Sequence, residues 1–369
     1  MKFTCNQQIL AKTLNTVSKA VSNRTTLPIL KGILIEAKDG KIIMTASDLE
    51  ISIRKKVEAS VEEEGSVVVI SRLFGDIIRK LPNEDVVIEE NDNSVTIMSN
   101  DSEFKLVTLP VEEFPNIGES EEGKEKISFD SNIFREMVRK TAFAASIDES
   151  KGVLTGILTE IKENEINMVS LDGFRLALVN ELMKSAGEYK FIISAKIMNE
   201  ISKIVTDEDS EKPIEISLGE KKAIFNIGNT EVILRIMEGE FIRYRDIIPT
   251  DSTINVKAGR EILLESIERA SLLAKEGKNN LIKITIKDNL LTITSRSEEG
   301  NVKERIMVEK TGDDIVIGFN SKFVIDVLKA IDDEEITLNF KNEVSPCVVK
   351  PANGNAYEYL ILPVRIPSM

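Results

Sequence analysis

The chain has 369 residues, of which 42% are hydrophobic, and a formal net charge of −14. It contains no histidine, which removes the commonest general base and most zinc sites, and it has no GxGxxG or GxxxxGKS/T phosphate loop. Cys5 and Cys347 give neither a disulfide framework nor a metal-ligand spacing. The composition therefore argues against an enzyme, a metal site or a bound cofactor. Because the chain shows neither a signal-peptide core nor an apolar run of about 18 residues, we expect a cytoplasmic protein with no membrane partner.

The first predicted helix carries an apolar stripe at the i, i+4, i+7, i+11 spacing of one buried helical face. The stripe occurs twice more, the first time at an offset of 124 residues. The three copies are Leu10, Leu14, Val17 and Val21, then Phe134, Val138, Thr141 and Ala145, then Leu263, Ile267, Ala270 and Ala274. Self-similarity at a fixed offset predicts a repeat architecture.

The segments after these helices repeat as well. Residues 30–34 (LKGIL) align with 154–158 (LTGIL), and Asp48 aligns with Asp172. The third copy continues with alternating β-branched runs at 281–286 and 291–294, a pattern typical of strands.

Each copy contains a second, similar half. After a strand at 67–70, a shorter helix has apolar residues at Phe74, Ile78 and Leu81, and three strands follow. The later helices have Ile197, Ile201 and Ile204, and then Val324, Leu328 and Ile331. The three strands are predicted at 86–88, 95–98 and 104–109, at 214–218, 223–227 and 232–237, and at 336–340, 347–350 and 357–362.

The repeating unit is therefore a strand, a helix and three strands, used six times. One unit alone leaves sheet edges unpaired and one face covered by a single helix, so we expect two units to pair into a domain. This predicts an α+β protein of three tandem domains at 1–125, 126–250 and 251–369. Strand edges at both ends of such a chain favour closure into a ring.

Charge is segregated by element. The six predicted helices contain 15 Lys/Arg and 7 Asp/Glu, so the remainder of the chain carries −22. Their ranges are 7–20, 71–80, 131–145, 195–205, 258–275 and 320–330. Such charges could be ordinary solvation of an outer helix face. In a ring with the helices inward they would form a basic hole that attracts the DNA backbone without reading sequence. The candidate DNA-binding residues on these helices are Arg72, Arg79, Lys80, Arg135, Arg139, Lys140, Lys196 and Lys203.

Several segments, in order along the whole chain, resemble the bacterial DNA polymerase III beta subunit, the beta sliding clamp. They include residues 1–4 (MKFT), 24–30 (RTTLPIL), 47–50 (SDLE), 108–110 (TLP), 171–177 (LDGFRLA), 317–320 (IGFN) and 359–365 (YLILPVR). The resemblance implies a non-catalytic DNA-clamp fold that closes into a ring as a homodimer. It also implies an ATP-driven clamp loader that places the ring on duplex DNA, and tethering of the replicative DNA polymerase and other proteins that carry a clamp-binding motif.

Site residues also follow from this resemblance. It implies that Arg24 and Arg72 face DNA, and that Phe104 and Leu106 of one subunit meet Leu272 and Leu273 of the other. A pocket for short partner peptides is implied between the second and third domains. Its residues are Leu154, Leu171, Gly173, Arg175, Leu176, Ile247, Val344, Pro346, Leu360, Leu362, Pro363, Val364 and Arg365.

Two other classes of function are compatible with parts of the sequence. Asp172 with Arg175, or the acidic runs at 62–64 and 207–209, could belong to a metal-dependent phosphodiesterase. The repeats could also form a scaffold that binds only proteins. Because Asp172 falls at the same repeat position as Asp48, we predict a role in a turn rather than in catalysis.

Overall fold

The computed structural model describes residues 1–22, 25–118, 126–184, 187–205 and 212–366. The contacts of the chain divide it into two compact units. The first comprises residues 1–132 with 200–236, and the second comprises residues 133–199 with 237–369. No helix within the described ranges is long and apolar enough to cross a membrane.

The six predicted repeats are confirmed, each with a strand, a helix and three further strands. Repeat 1 comprises β1 (Lys2–Asn6), α1 (Gln7–Val17), β2 (Gly32–Lys38), β3 (Lys41–Ser47) and β4 (Ile51–Glu58), followed by a short extra strand, β5 (Ser60–Glu63). Repeat 2 comprises β6 (Gly65–Ile70), α2 (Ser71–Lys80), β7 (Asp85–Asn91), β8 (Ser94–Ser99) and β9 (Ser102–Val107). Repeat 3 comprises β10 (Lys126–Phe129), α3 (Ser131–Thr141), β11 (Gly156–Lys162), β12 (Glu165–Leu171) and β13 (Arg175–Leu182).

The later repeats follow the same order. Repeat 4 comprises β14 (Tyr189–Ser194), α4 (Ala195–Ile204), β15 (Ile214–Leu218), β16 (Lys222–Ile227) and β17 (Thr230–Arg235). Repeat 5 comprises β18 (Ile254–Gly259), α5 (Arg260–Ala274), β19 (Leu281–Lys287), β20 (Leu290–Arg296) and β21 (Asn301–Met307), followed by a second extra strand, β22 (Glu309–Thr311). Repeat 6 comprises β23 (Ile315–Asn320), α6 (Ser321–Ala330), β24 (Glu335–Phe340), β25 (Cys347–Pro351) and β26 (Tyr357–Ile361).

Helices α1 and α6 form where the sequence places an apolar stripe behind a polar cap. The Asn6 side chain accepts a hydrogen bond from the Gln8 amide (3.0 Å), and Asn320 accepts one from Lys322 (3.0 Å), so α1 and α6 begin with satisfied N–H groups. The predicted stripes are buried, with Leu10, Leu14 and Val17 fully enclosed, except that Val21 is half-buried and lies beyond the end of α1. The first and third helices are shorter than predicted, because after Val17 and Thr141 the chain tightens into 3₁₀ turns.

Neighbouring repeats exchange their first strands. Thus β1 of repeat 1 pairs with β7 of repeat 2, while β6 of repeat 2 pairs with β2 of repeat 1. The same exchange joins β10 with β15, β14 with β11, β18 with β24 and β23 with β19. The exchange gives each partner an otherwise missing edge strand, so two repeats complete each other's sheets.

Each compact unit contains two sheets. In the first unit they have the strand orders β5-β1-β7-β8-β9 and β10-β15-β16-β17-β4-β3-β2-β6. In the second unit the orders are β14-β11-β12-β13-β26-β25-β24-β18-β22 and β21-β20-β19-β23. The division passes through the predicted second domain because the sheet of repeat 4 continues into that of repeat 1, and the sheet of repeat 3 continues into that of repeat 6. Among the final strands of the six repeats, β9 and β21 each lie at the edge of a sheet in the described part of the chain, whereas the other four pair with one another.

Candidate functional site

The candidate DNA-binding residues of α2 are accessible to solvent. Arg72, Arg79 and Lys80 are all exposed. Arg79 donates a hydrogen bond to Asp76 (2.7 Å), whereas Arg72 and Lys80 make no ion pair with any residue in the described ranges. A phosphate group could therefore bind Arg72 or Lys80 without displacing a carboxylate of the described residues.

On α3, two candidate residues are already held by carboxylates. Arg139 bonds Glu136 (2.6 Å) and Asp332 (2.5 Å), and it also donates to the Ala330 carbonyl (3.2 Å). Lys140 lies 3.2 Å from Asp332. Hydrogen bonding to Glu136 raises the pKa of Arg139, and the bond from Arg139 lowers the pKa of Glu136. A DNA phosphate would have to compete with these pairs.

On α4 the same contrast occurs between its two lysines. Lys203 pairs with Glu200 (2.8 Å), which also accepts a hydrogen bond from Lys19 (3.0 Å), while Lys196 is exposed and has no ion pair among the described residues. Burial works against the charge of Glu200, but its bonds to Lys203 and Lys19 lower its pKa. Arg135 is half-buried on α3, and Arg24 lies outside the described residues.

Sequence reasoning missed the carboxylates that neutralise these cations. The i, i+3 spacing of Glu136 with Arg139 and of Glu200 with Lys203 was a readable signal. The contact of Asp332 with Arg139 joins residues 193 positions apart, and no local pattern predicts it.

The predicted turn role of Asp172 is confirmed. Its side chain accepts hydrogen bonds from the backbone amides of Phe174 (2.8 Å) and Arg175 (3.0 Å) between β12 and β13. Asp48 accepts the equivalent bonds from Glu50 (3.0 Å) and Ile51 (2.9 Å) between β3 and β4. Both are Asx turns, in which a short carboxylate replaces a missing backbone acceptor.

Arg175 is a buried residue with its guanidinium engaged inside the chain. It bonds the other Asp172 oxygen (3.1 Å), Asp326 of α6 (2.5 Å) and the Phe143 carbonyl (2.7 Å). The group also lies over the rings of Phe143 and Phe323, at 5.3 and 4.8 Å from their centroids. The guanidinium donors of Arg175 therefore already serve contacts within the chain.

Several predicted pocket residues meet in one apolar group, which we call the junction cluster. Leu171, Leu176 and Leu360 are its buried members, and half-buried Leu154 and Leu362 pack against it. The complete buried set is Leu158, Val169, Leu171, Leu176, Leu178, Ile192, Phe241, Tyr244 and Leu360. The deep part of the predicted pocket is thus hydrophobic core, with Leu154 and Leu362 at its accessible margin.

The remaining pocket residues occupy segments around this cluster. Gly173 has a φ of +95° in the Asp172 turn, and the Leu362 amide bonds the adjacent Phe174 carbonyl (2.9 Å). The tail then runs to β23, where the Val364 amide bonds the Gly318 carbonyl (2.8 Å). Val344, Ile247 and Arg365 are exposed, whereas Pro346 and Pro363 are half-buried.

The predicted subunit-contact residues lie on the edge strand β9 and on α5, which packs beside the edge strand β21. Phe104 is 40% exposed on β9, where Leu106 is half-buried. Leu272 is 65% exposed at the end of α5, next to half-buried Leu273, and α5 packs on β20 and β21. Large exposed apolar side chains at strand edges are unfavourable in an isolated chain.

The described residues contain no cluster of carboxylates or thiols that could hold a metal ion. Both cysteines are buried, and burial raises the pKa of the Cys5 thiol to about 11. Neither cysteine therefore resembles an activated nucleophile.

Six strand-exchanged repeats, with basic side chains exposed on their helices and no metal-binding cluster among the described residues, define the DNA-clamp class. Residues 1–118, 128–242 and 245–365 match the N-terminal, central and C-terminal domains of the DNA polymerase III beta subunit. The chain is 36% identical over 377 residues to the beta sliding clamp of Staphylococcus aureus, with 99% of both chains covered. It matches the DNA polymerase sliding clamp of Bacillus subtilis at a TM-score of 0.95 and 32% identity, covering 100% of each chain. A putative DNA polymerase III beta subunit from Eubacterium rectale gives 0.94 and 34%, covering 99% of this chain and 100% of that one.

The chain belongs to the DNA polymerase III beta subunit family. It is a DNA sliding clamp, a non-catalytic processivity subunit of DNA replication.

Proposed function

We propose that two copies of this chain form a closed ring around duplex DNA and tether the replicative polymerase to it. The observation that carries the proposal is the pattern of paired sheet edges. The last strands of repeats 1, 3, 4 and 6 pair with one another within the chain, whereas β9 of repeat 2 and β21 of repeat 5 are left open. In two copies joined at both pairs of these edges, the final strand of every repeat would pair with another final strand. We assign the domains to 1–125, 126–250 and 251–369, and the protein to the cytoplasm, where an ATP-driven loader would open the ring.

We infer that DNA contact depends most on cations that make no ion pair with another described residue. Arg72, Lys80 and Lys196 meet this condition. A phosphate that binds Arg139, Lys140 or Lys203 must displace Asp332 or Glu200, so those residues should contribute less. Neutralising phosphates without reading base edges suits a protein that slides.

Charge reversal tests this ranking. The triple variant Arg72→Glu, Lys80→Glu, Lys196→Glu should lose DNA retention about equally on all sequences, and its dependence on salt should flatten because fewer counterions are released. The measurement is retention on closed circular DNA after loading, with release when the circle is cut. Lys38, Lys56 and Lys287, which are exposed on strands, give a matched triple control that should retain DNA. Sequence-dependent loss, or retention on the circle unaffected by cutting it, would contradict the proposal.

We propose that partner peptides bind at the accessible margin of the junction cluster. A peptide with apolar anchors would contact Leu154 and the deeper leucines once Leu362 and the tail after β26 shift aside. Among the described residues, two backbone hydrogen bonds hold that tail, from Leu362 to Phe174 and from Val364 to Gly318, so its displacement breaks these two bonds and the packing of half-buried Leu362. A few apolar anchors at about 1.5–3 kcal/mol each are enough for micromolar binding, which corresponds to roughly −8 kcal/mol.

Truncation tests the partner site. Deleting residues 362–369 should abolish calorimetric binding of a peptide that contains a Gln and a Leu/Phe pair, while the protein remains dimeric. Deleting 367–369 alone is the matched control, and it should leave binding unchanged because Leu362 and Val364 keep their contacts. Full binding by the longer truncation would locate the partner site elsewhere, and loss of the dimer would indicate that the tail belongs to the structural core.

A further inference from the structure

The second compact unit has a cavity of about 480 Å³ beside the junction cluster, which we call the polar cleft. Its floor is the face of β12, β13 and β26 that carries Asn167, Asn180 and Glu358, and one wall is the chain after repeat 4, with Arg245 and Ile248. The volume lies within the range of about 300–1,000 Å³ that is usual for ligand-binding clefts. Nothing in the DNA contact or the apolar partner site uses these polar side chains.

The sheet face below the polar cleft changes from apolar to polar along each strand. Leu171 lies opposite Leu176 in the junction cluster, and four residues further along, Asn167 lies opposite Asn180. Residues four apart on a strand share a face, because successive side chains alternate between the two faces. At about 3.3 Å per residue, the leucine pair and the asparagine pair are about 13 Å apart. An apolar surface and a polar one therefore lie on one sheet face, within reach of a single short peptide.

The amides that line the polar cleft have unused hydrogen-bonding capacity. Asn167 is only 8% exposed, yet its side-chain amide makes no hydrogen bond with another described residue. The side-chain amides of Asn180 and Asn355, which also line the cleft, make none in the described part of the chain. A carboxamide offers N–H donors and a C=O acceptor, the same groups that a peptide bond offers. Because a buried amide without a partner is unfavourable, these side chains suit a ligand that presents peptide groups.

The asparagine pair is absent from the equivalent hairpin of repeat 1. At the repeat offset of 124 residues, Asn167 and Asn180 correspond to Ile43 and Lys56, which also lie opposite each other in the hairpin of β3 and β4. The backbone register is therefore the same in the two hairpins, and the side chains differ. The fold does not require amides at these positions, which favours a role in binding over a role in the sheet.

The residue between the asparagine pair and the junction cluster differs in the same way. Leu178 lines the polar cleft, and its equivalent 124 residues earlier is Arg54. Arg54 bonds Glu231 (2.9 Å) and the carbonyl oxygen of Gly118 in the chain after repeat 2 (3.5 Å), so a charged side chain links that chain segment to the sheet. Leu178 has no group that could form such a link, and at this position the second unit has the cleft instead.

The charges of the polar cleft indicate which segment would fit it. Lys350 and Glu358 bond each other (2.8 Å) and so neutralise each other. Arg245 and Glu165 are exposed, and neither makes an ion pair with another described residue. The Arg245 guanidinium lies over the Tyr244 ring, 5.2 Å from its centroid, which limits its orientations. A complementary segment has an acidic residue near the junction cluster, for Arg245, and a basic residue further away, for Glu165 at the start of β12.

We propose that the polar cleft binds an extended polar segment of the partner protein that adjoins the apolar anchors, a proposal that rests on the partner site proposed above. The asparagine amides bond the backbone of this segment, and Arg245 pairs with its acidic residue. Exposed Ile247 and its neighbour Ile248, which packs on the junction cluster and lines the cleft, connect the two surfaces. An extended chain covers the distance between them in about four to six residues.

Calorimetric titration with matched peptides tests the polar cleft. The anchor peptide, with a Gln and a Leu/Phe pair, is compared with two peptides that extend it by six residues at one end or the other. Each extension has an aspartate next to the anchor and a lysine at its far end. One extended peptide should bind about tenfold more tightly than the anchor peptide, and exchanging its aspartate and lysine should remove that gain. Equal affinity of all these peptides would overturn the inference, whereas an anchor peptide that does not bind would overturn the partner site on which it rests.

Substitutions in the polar cleft test which residues provide the gain. Arg245→Glu and Asn167→Leu should each reduce the affinity for the extended peptide about 5- to 10-fold while the anchor peptide binds as before. Asn167→Leu should not lower stability in urea unfolding, because its amide has no protein partner to lose. Arg243→Glu is the matched control, since Arg243 is exposed on the same segment and does not line the cleft. A full gain in both cleft variants, or the same loss in Arg243→Glu, would overturn the proposal.

Discussion

The turns at Asp48 and Asp172 have the same backbone and different chemistry. Each aspartate accepts two backbone hydrogen bonds at about 3 Å from the residues two and three positions later. The third residue after it is Ile51 in one turn and Arg175 in the other, and both are buried. The repeat therefore fixes the position of this side chain. The residue type at that position, Ile51 or Arg175, determines whether the side chain makes apolar contacts or a charged contact with α6.

The residue directly after the aspartate differs as well. Leu49 has a φ of +76° and is 55% exposed, whereas Gly173 has a φ of +95° at the equivalent position. Only glycine adopts this left-handed conformation without steric cost. The Asp48 turn therefore carries strain that the Asp172 turn does not.

The largest effect should come from removing the charged contact. Arg175→Leu leaves Asp172 and Asp326 without their shared cation, and breaking such a partly buried pair should destabilise the protein by about 3 kcal/mol. Ile51→Leu, at the equivalent position, should change stability by less than about 1.5 kcal/mol. Urea unfolding at one fixed protein concentration gives both values. Equal effects at the two positions would mean that the Arg175 network contributes no more than ordinary packing.

The sequence predicted this architecture well because its signals are local. The spacing of Leu10, Leu14 and Val17, and its copies, gave the helices and the six repeats. The offset between Asp48 and Asp172 gave a shared turn. The network around Arg175 could not be predicted, because Phe143, Phe323 and Asp326 reach it from distant segments. The extra strands β5 and β22 were also missed, since each is only three or four residues long.

An intermediate effect should come from neutralising the aspartates themselves. Asparagine keeps the oxygen that accepts the turn's backbone bonds but loses the charge. Asp172→Asn should therefore cost about 1.5–3 kcal/mol, the usual range for a hydrogen bond to a charged group, because its second oxygen bonds Arg175. Asp48→Asn should be nearly neutral, since no described cation pairs with Asp48. Thermal and urea unfolding of the two variants side by side measure the difference, and an equal cost in both would place the role of Asp172 in the turn alone.

The smallest effect should come from the residue directly after each aspartate, Leu49 or Gly173. Substitutions at these two positions should change the free energy of unfolding with opposite signs. Leu49→Gly removes the strain of a leucine in the left-handed region, which is about 1–2 kcal/mol. Because glycine also increases the conformational entropy of the unfolded chain, we expect the free energy of unfolding to rise by only about 0.5–1 kcal/mol. Little apolar burial is lost because the side chain is mostly exposed. Gly173→Ala introduces the same strain where no atom lies within 4 Å of the new Cβ, so the loss of about 1 kcal/mol would be due to the backbone alone. Urea unfolding reports both changes. A Leu49→Gly variant that is less stable than the parent would show that the exposed leucine makes a contact that outweighs its backbone strain.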